Sequence, residues 1–130
     1  MSGALPKILV VDDEPAIRDL IVAVLEDEGY DAVGAGSGSR ALELMPSERP
    51  DLVLMDIMMP EMDGREALRR MREQPDLARI PVVMMSAALA PDRVGQRISA
   101  FLAKPFDLDH LLSTVAQILE ARGNHNTAVR

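Results

Sequence analysis

The chain has 130 residues, of which 48% are hydrophobic, so it can bury enough apolar surface for one compact domain. Its formal charge of -7 disfavours direct binding of nucleic acids, and it has no cysteine for disulfides, thiolate metal sites or thiol nucleophiles. No apolar run approaches the roughly 20 residues that cross a bilayer, and the first residues lack the pattern of a signal peptide. We therefore expect a cytoplasmic protein without membrane insertion.

The first half of the chain alternates between predicted strands and predicted helices. Lys7–Val11 is a short β-branched run that predicts a strand buried on both faces. A helix follows, with Gly29 at its expected C-terminal cap and apolar residues at the spacing of one helical face. These apolar residues are Ile17, Leu20, Ile21, Val24 and Leu25. Asp31–Ala35 predicts a weaker strand, residues 41–45 a second helix and residues 51–55 a third strand.

The next part of the chain continues this alternation less regularly. A loop that ends at Gly64 leads to a third predicted helix, and residues 80–85 predict a fourth strand. Residues 87–99 have the weakest pattern and predict only a short helix that begins at Pro91. A regular pattern of apolar residues returns only after this stretch.

The chain is predicted to end with a fifth strand and a long helix. The strand covers residues 100–103, and the helix begins after an Asp107 cap and ends at Gly123. No apolar periodicity follows that glycine. We therefore expect a single domain over residues 5–121, a polar C-terminal tail over residues 122–130 and no output domain.

Five strand-helix units in strict alternation predict an α/β fold with a doubly wound parallel sheet, because parallel neighbours need right-handed crossover connections. Ligands of such sheets bind at the carboxyl ends of the strands, where the winding direction reverses. If the strands take the flavodoxin-like order 2-1-3-4-5, the first and third strands are neighbours at that point. Polar residues that end these strands should then lie close together.

Four of the five predicted strands end in polar side chains that together suit a cation and a phosphate. These are Asp12 and Asp13 after the first strand, Asp56 after the third, Ser86 after the fourth and Lys104 after the fifth. Clustered carboxylates repel one another unless a cation lies among them, and Mg²⁺ accepts carboxylates together with a phosphate oxygen. Lys104 and Ser86 can bind phosphoryl oxygens, and one carboxylate can act as a nucleophile. Each residue alone would be an ordinary turn or cap residue, so the prediction depends on their conjunction.

Four short segments around these residues resemble one known family. They are VVDDEP at residues 10–15, DIMMPEMDG at 56–64, MMSA at 84–87 and KPF at 104–106. The chain resembles the response-regulator receiver domain of two-component signalling over about residues 5–121. The resemblance implies a flavodoxin-like (βα)5 fold with strand order 2-1-3-4-5, in a receiver of the stand-alone type.

The resemblance also implies a role for each acidic residue. Asp56 opens the D-x-x-M-P-x-x-x-G stretch and is expected to accept a phosphoryl group from a histidine kinase or a histidine phosphotransfer protein. Asp12 and Asp13 are expected to hold Mg²⁺ together with Asp56 and the backbone carbonyl of Met58. The ammonium group of Lys104 is expected to bind the phosphoryl group.

Two further residues are expected to carry the switch that follows phosphorylation. Ser86 should follow the phosphoryl group, and Phe101 should be the switch aromatic, here without the hydroxyl group of a tyrosine. The resemblance also implies a cis peptide bond between Lys104 and Pro105. Only fourteen residues separate Ser86 from Phe101, about one helical turn fewer than receivers usually have, so the fourth helix is expected to be shortened.

The implied function is phosphorelay signalling rather than enzymatic turnover. The chain should phosphorylate itself from a donor and dephosphorylate itself slowly, because Met58 and Ala88 beside the phosphoryl group offer no polar group to orient a water. Its expected partners are the phosphodonor protein and a downstream protein target.

Three alternatives are less consistent with the sequence. A Mg²⁺-dependent phosphatase of the haloacid-dehalogenase kind needs a second acid two residues after the nucleophile, where Met58 stands. A flavodoxin-like electron carrier needs flavin-packing aromatics, and aromatics are only 2% of the chain. A degenerate receiver that only docks to partners would not need the full set of Asp56, Ser86 and Lys104.

Overall fold

The computed structural model describes residues 5–88 and 91–129, with side chains up to residue 122. Within these residues the chain forms five β-strands, four α-helices and one 3₁₀ turn. The strands are β1 (Lys7–Val11), β2 (Asp31–Ala35), β3 (Leu52–Asp56), β4 (Val82–Ser86) and β5 (Ala100–Ala103). The helices are α1 (Pro15–Asp27), α2 (Gly38–Glu48), α3 (Gly64–Arg72) and α4 (Leu108–Val129), and the 3₁₀ turn is Pro91–Arg93.

The strands form one sheet in the order β2-β1-β3-β4-β5, and all neighbouring strands are parallel. The predicted flavodoxin-like, doubly wound sheet is therefore confirmed. Helices α2 and α3 pack on one face, and α1 and α4 pack on the other. Because β1 lies next to β3, the winding direction reverses between these two strands, and the carboxyl ends of both meet there.

The two central strands are buried from end to end by aliphatic and methionine side chains. Every residue of β3 and β4 is buried, as expected for strands covered by helices on both faces. Met55 and Met84 pack on the α2 and α3 face, and Met85 packs on the opposite face. Both strands end one residue later than the sequence predicts, so Asp56 and Ser86 are the last residues of rigid strands rather than the first residues of loops.

The predicted shortening of the fourth helix is confirmed. Among the described residues of this connection, only the 3₁₀ turn Pro91–Arg93 is helical. Gly95 follows with a φ of 77°, a left-handed conformation that does not continue a helix. Val94 is buried and Ile98 packs partly buried against the same hydrophobic cluster, so these two apolar side chains hold the connection to the sheet.

The last helix is longer than the sequence predicts. Helix α4 continues to Val129 rather than ending at Gly123, and the segment expected to form a polar tail is helical as far as it is described. A single glycine inside a helix costs only about 1 kcal/mol relative to alanine, so it does not by itself end one. Neither α4 nor any other helix among the described residues is long and apolar enough to cross a membrane.

Gly64 closes the loop between β3 and α3 tightly against the end of β3. Its backbone N–H donates a 2.8 Å hydrogen bond to the carbonyl oxygen of Ile57. A Cβ atom at this position would lie 2.5 Å from the carbonyl oxygen of Asp56 and 3.0 Å from the Cα atom of Ile57. Both neighbours are backbone atoms of the strand end, so a side chain at residue 64 would displace Asp56.

We predict that Gly64→Ala lowers the free energy of unfolding by about 2 kcal/mol, because the added methyl group meets backbone that cannot move without distorting the sheet. The matched control is Gly36→Ala, whose Cβ would meet only the guanidinium end of Arg18, at 3.0 Å, so that a side chain rather than backbone has to shift. We expect the control to lose less than about 1 kcal/mol. Urea unfolding followed by circular dichroism measures both values, and equal losses would contradict the steric argument.

Candidate functional site

Three acidic side chains converge at the carboxyl end of the sheet, as predicted. Asp12 and Asp13 follow β1, and Asp56 ends the neighbouring strand β3. One carboxylate oxygen of each residue lies within 4.8 Å of the others, so the three together could hold a metal ion. Asp12 is fully buried and Asp56 is 5% exposed, whereas Asp13 is more open to solvent.

Lys104 reaches this cluster from the end of β5. Its Nζ atom donates hydrogen bonds of 3.0 Å to Asp12 Oδ2 and 3.2 Å to Asp56 Oδ2, and its side chain is only 14% exposed. The backbone N–H of Lys104 also donates to the carbonyl oxygen of Ser86, at 2.8 Å. The peptide bond to Pro105 is cis, as expected. The predicted ammonium group therefore lies directly between two of the predicted carboxylates.

The pKa values of this pair follow from burial and charge. Burial raises the pKa of Asp56 above its usual value, and the charge of Asp12 adds to the effect, although Lys104 and the Met58 N–H oppose it. Burial would lower the pKa of Lys104, but hydrogen bonds and attraction to Asp12 and Asp56 outweigh it and raise the pKa. Lys104 is therefore firmly charged, and the cluster of three carboxylates and one ammonium carries a net negative charge that suits a divalent cation.

Two backbone N–H groups also point into the site, which the sequence did not predict. The Met58 N–H donates to Asp56 Oδ1 at 3.3 Å, and the Ala88 N–H donates to Ser86 Oγ at 3.1 Å. Each donor lies two residues after the side chain that it contacts. The sequence identifies these positions, but only the turn geometry shows that their N–H groups face inward. The side chain of Met58 is 52% exposed at the rim of the site.

The two predicted switch residues lie on adjacent strands. Ser86 is 1% exposed at the end of β4, and Phe101 pairs with Met84 in the register of β4 and β5. Phe101 is partly buried against the cluster that also contains Val94 and Ile98. Because β4 and β5 are paired in the sheet, a displacement of the Ser86 backbone would also displace β5.

Arg18 supports the backbone of Asp12, a role that the sequence did not predict. Its Nη1 atom donates a 3.1 Å hydrogen bond to the carbonyl oxygen of Asp12. The side chain crosses strand β2 where Gly34 and Gly36 leave room, since a Cβ at either position would approach it to 3.1 or 3.0 Å. A second brace holds Asp12 itself, because the Glu14 N–H donates to Asp12 Oδ1 at 3.0 Å. Gly34 in β2 and Gly36 just after it were the available sequence signal.

The comparison with protein families agrees with this geometry. The model of the response regulator receiver domain matches residues 8–116. The chain belongs to that family. The site at the carboxyl end of its sheet is therefore the acidic pocket of a receiver domain.

Similar proteins differ in how much of their length this receiver domain covers. Sporulation initiation phosphotransferase F of Bacillus subtilis is 38% identical over 120 residues, which are 91% of this chain and 97% of that protein. The DNA-binding dual master transcriptional regulator RpaA of Synechocystis is 36% identical over 122 residues, 88% of this chain and 49% of that protein. This chain spans about half the length of several other curated relatives as well.

A solved structure confirms the fold at similar identity. Chemotaxis protein CheY4 of Vibrio cholerae superposes with a TM-score of 0.81 at 32% identity, covering 88% of this chain and 98% of that chain. The fourth connection of the present receiver domain, reduced to a 3₁₀ turn in its described part, lies within an otherwise ordinary receiver fold.

We predict that Asp56→Asn stabilises the receiver domain in chelator at neutral pH and raises the midpoint of thermal unfolding by a few degrees. The substitution removes a carboxylate that is buried beside Asp12, and it leaves Lys104 paired with Asp12. Because the folded pKa of Asp56 is raised, its ionisation opposes folding most above that pKa. The difference should therefore shrink as the pH falls and Asp56 becomes protonated.

The matched control is Asp76→Asn, which removes one charge from an exposed position. It should leave the midpoint nearly unchanged, because exposed charges are screened by solvent. If Asp76→Asn stabilises as much as Asp56→Asn, or if the difference is constant with pH, local repulsion in the pocket is not the cause.

Proposed function

We propose that this receiver domain accepts a phosphoryl group on Asp56 from the phosphohistidine of a histidine kinase or a histidine phosphotransfer protein. The observation that supports this most strongly is the contact of Lys104 with both Asp12 and Asp56, since it places an ammonium group beside a buried carboxylate in a cluster that could hold a metal. A carboxylate in these surroundings can be both a nucleophile and the site of a charged product.

In the proposed transfer, a carboxylate oxygen of Asp56 attacks the phosphorus atom, the P–N bond of the phosphohistidine breaks, and the imidazole leaves as its nitrogen takes up a proton. The rigid end of β3 orients Asp56 for in-line attack. Lys104 is held within reach of Asp56 Oδ2 and would move to a phosphoryl oxygen as the new charge forms. The N–H groups of Met58 and Ala88 would stabilise the same oxygens.

Mg²⁺ fits the donor set, because Asp12, Asp13 and Asp56 offer carboxylate oxygens close together, and we propose that the carbonyl oxygen of Met58 completes the protein ligands. When bound, the ion neutralises charge on the phosphoryl oxygens. Asp13 is the most exposed of the three carboxylates. Lys104 compensates one of the remaining negative charges.

The proposed switch begins at Ser86. Its buried hydroxyl would move to donate to a phosphoryl oxygen, and it would carry the Ala88 N–H with it. Phe101 on the neighbouring strand would then move further into the cluster against which it already packs. Phosphorylation would thereby shift the surface around β4 and β5 between two states and change its affinity for a downstream protein.

We infer that the chain acts in the cytoplasm by contacting other proteins or by passing its phosphoryl group onward, and that it does not turn over a separate substrate. The likeness to sporulation initiation phosphotransferase F supports the transfer of the phosphoryl group, since that protein is named for such a transfer and 97% of its length matches this chain. Relatives with about twice this length carry additional sequence that this chain does not match.

We predict that the protein gains one acid-labile phosphoryl group when it is incubated with acetyl phosphate and Mg²⁺, and that Asp56→Asn abolishes this labelling. Intact-mass spectrometry measures the label, and chelator should prevent it because the pocket carboxylates would repel the donor. Asp76→Asn, an exposed aspartate, serves as the matched control and should label like the unmodified chain. Undiminished labelling of Asp56→Asn would refute the assignment.

We predict that the phosphorylated state decays over many minutes or longer, because the exposed Met58 side chain and the small Ala88 provide no polar group to hold an attacking water. Decay is followed by mass spectrometry after the donor is removed. Met58→Asn and Ala88→Glu should each accelerate it severalfold, whereas Met58→Leu, which keeps the position apolar, should not. Decay of the unmodified protein within seconds would show that another group already orients the water.

A further inference from the structure

A second groove lies at the opposite edge of the sheet from Asp56. It has a volume of about 640 Å³ and opens where β4 and β5 begin, between the end of α3 and helix α4. Its apolar floor includes Ile80, Pro81, Ile98 and Ile118. Four arginines surround this floor, and the groove is called the arginine groove below. They are Arg72, Arg79, Arg97 and Arg122.

The arginine groove is positive in a protein whose formal charge is -7. Among the described residues, no carboxylate lines the groove and none forms an ion pair with its four arginines. Other arginines of the same region are paired, since Arg69 and Arg70 both contact Glu66. The lining of the groove is therefore positively charged, although the protein as a whole is acidic.

Two of the four guanidinium groups are fixed by backbone carbonyls rather than by acids. Arg72 donates from Nη1 to the carbonyl oxygens of Ala78 and Ile80, at 2.8 and 3.1 Å, and from Nη2 to that of Arg97, at 3.3 Å. Arg122 donates from Nη1 to the carbonyl oxygen of Asp51 at 2.7 Å. These bonds orient the groups, and none of the acceptors is a carboxylate.

The positive charges of Arg72 and Arg97 repel each other. Burial lowers the pKa of Arg72, and repulsion from Arg97 lowers it further. Arg79 and Arg97 are exposed on the walls, where a ligand can reach them. An anion bound between these arginines would reduce the repulsion. Its oxygens could also accept the pairs of parallel hydrogen bonds that a planar guanidinium group donates to phosphate.

We propose that the arginine groove binds the polyphosphate group of a small ligand. A polyphosphate carries several charges on adjacent atoms, so it can contact several converging guanidinium groups at once, whereas an acidic peptide carries one carboxylate on each side chain. The volume lies within the range of sites for small molecules. No aromatic side chain lines the described groove, so recognition depends on the phosphates and the apolar floor rather than on base stacking.

Binding is tested on the full chain with inorganic triphosphate and with ATP, in chelator, so that no Mg²⁺ draws phosphates to the acidic pocket. Amide shifts in ¹H–¹⁵N NMR spectra locate the site, and isothermal titration calorimetry measures the affinity. We expect shifts confined to residues around 72–81, 97–99 and 118–122. Equal affinity for both ligands would indicate recognition of phosphates alone, and tighter binding of ATP would show that the apolar floor contributes; either result supports the proposal.

The decisive variants are Arg79→Gln and Arg97→Gln, both at exposed positions where the fold is not at risk. Together they should weaken triphosphate binding at least about tenfold, because hydrogen bonds to charged groups are lost. The matched control is Arg40→Gln, an exposed arginine on α2 that pairs with Glu43, and it should bind normally.

Four results would overturn the proposal. The first is equal weakening by Arg40→Gln, which would show general charge attraction. The second is equal binding of orthophosphate at matched ionic strength, and the third is a set of amide shifts at the Asp56 edge of the sheet. The fourth is tighter binding of a glutamate-rich peptide than of triphosphate, which would assign the arginine groove to an acidic partner protein.

Discussion

Mutual repulsion among Asp12, Asp13 and Asp56 is the constraint on which the rest of the structure depends. Their oxygens lie within 4.8 Å of one another, and two of the three side chains are buried. Carboxylates on flexible loops would move apart. These three stay close together because they lie at the ends of two hydrogen-bonded parallel strands, β1 and β3. Lys104 compensates one negative charge, and the negative charge that remains suits a hard divalent cation. The same three close carboxylates therefore lower the stability of the fold and form a cluster that could hold a metal ion.

The core provides the rigidity that this arrangement requires. Strands β3 and β4 are buried along their whole length, and their neighbours on both sides are fixed by ladder hydrogen bonds. Aliphatic and methionine side chains fill both faces, and their burial opposes the repulsion at the strand ends. The loop after β3 returns so closely that only a glycine fits at residue 64. Asp56 is thus positioned by packing and by backbone, rather than by its own hydrogen bonds alone.

The sequence predicted those features that depend on local pattern and on general rules of topology. Apolar runs located the strands, strict alternation gave a parallel sheet, and the strand-order rule then brought Asp12, Asp56 and Lys104 together. The shortened fourth helix followed from a count of residues. Helix α4 was predicted too short because a glycine was taken to end it, although one glycine is a weak signal when no proline or competing cap follows.

Other features depend on long-range approach and could not be predicted from local patterns. Arg18 reaches the carbonyl oxygen of Asp12 only because its side chain passes close to Gly34 in β2 and Gly36 just after it. The inward N–H groups of Met58 and Ala88 depend on the dihedral angles of two turns. The four arginines of the arginine groove come from α3, α4 and the segments that precede β4 and β5. The sequence around each of them does not indicate that their side chains line one groove.

The connection between β4 and β5 is where the two edges of the sheet can influence each other. It begins next to Ser86 in the acidic pocket and ends beside the arginine groove, where Arg97 and Ile98 precede β5. Its described part contains a single 3₁₀ turn and one fully buried apolar anchor, Val94, whereas the strands on either side are locked in the sheet. Segments with few buried contacts rearrange at the lowest free-energy cost. A displacement that starts at Ser86 would therefore move this connection before it moves the strands. The other end of the connection is tied to the arginine groove by the hydrogen bond from Arg72 to the Arg97 carbonyl oxygen.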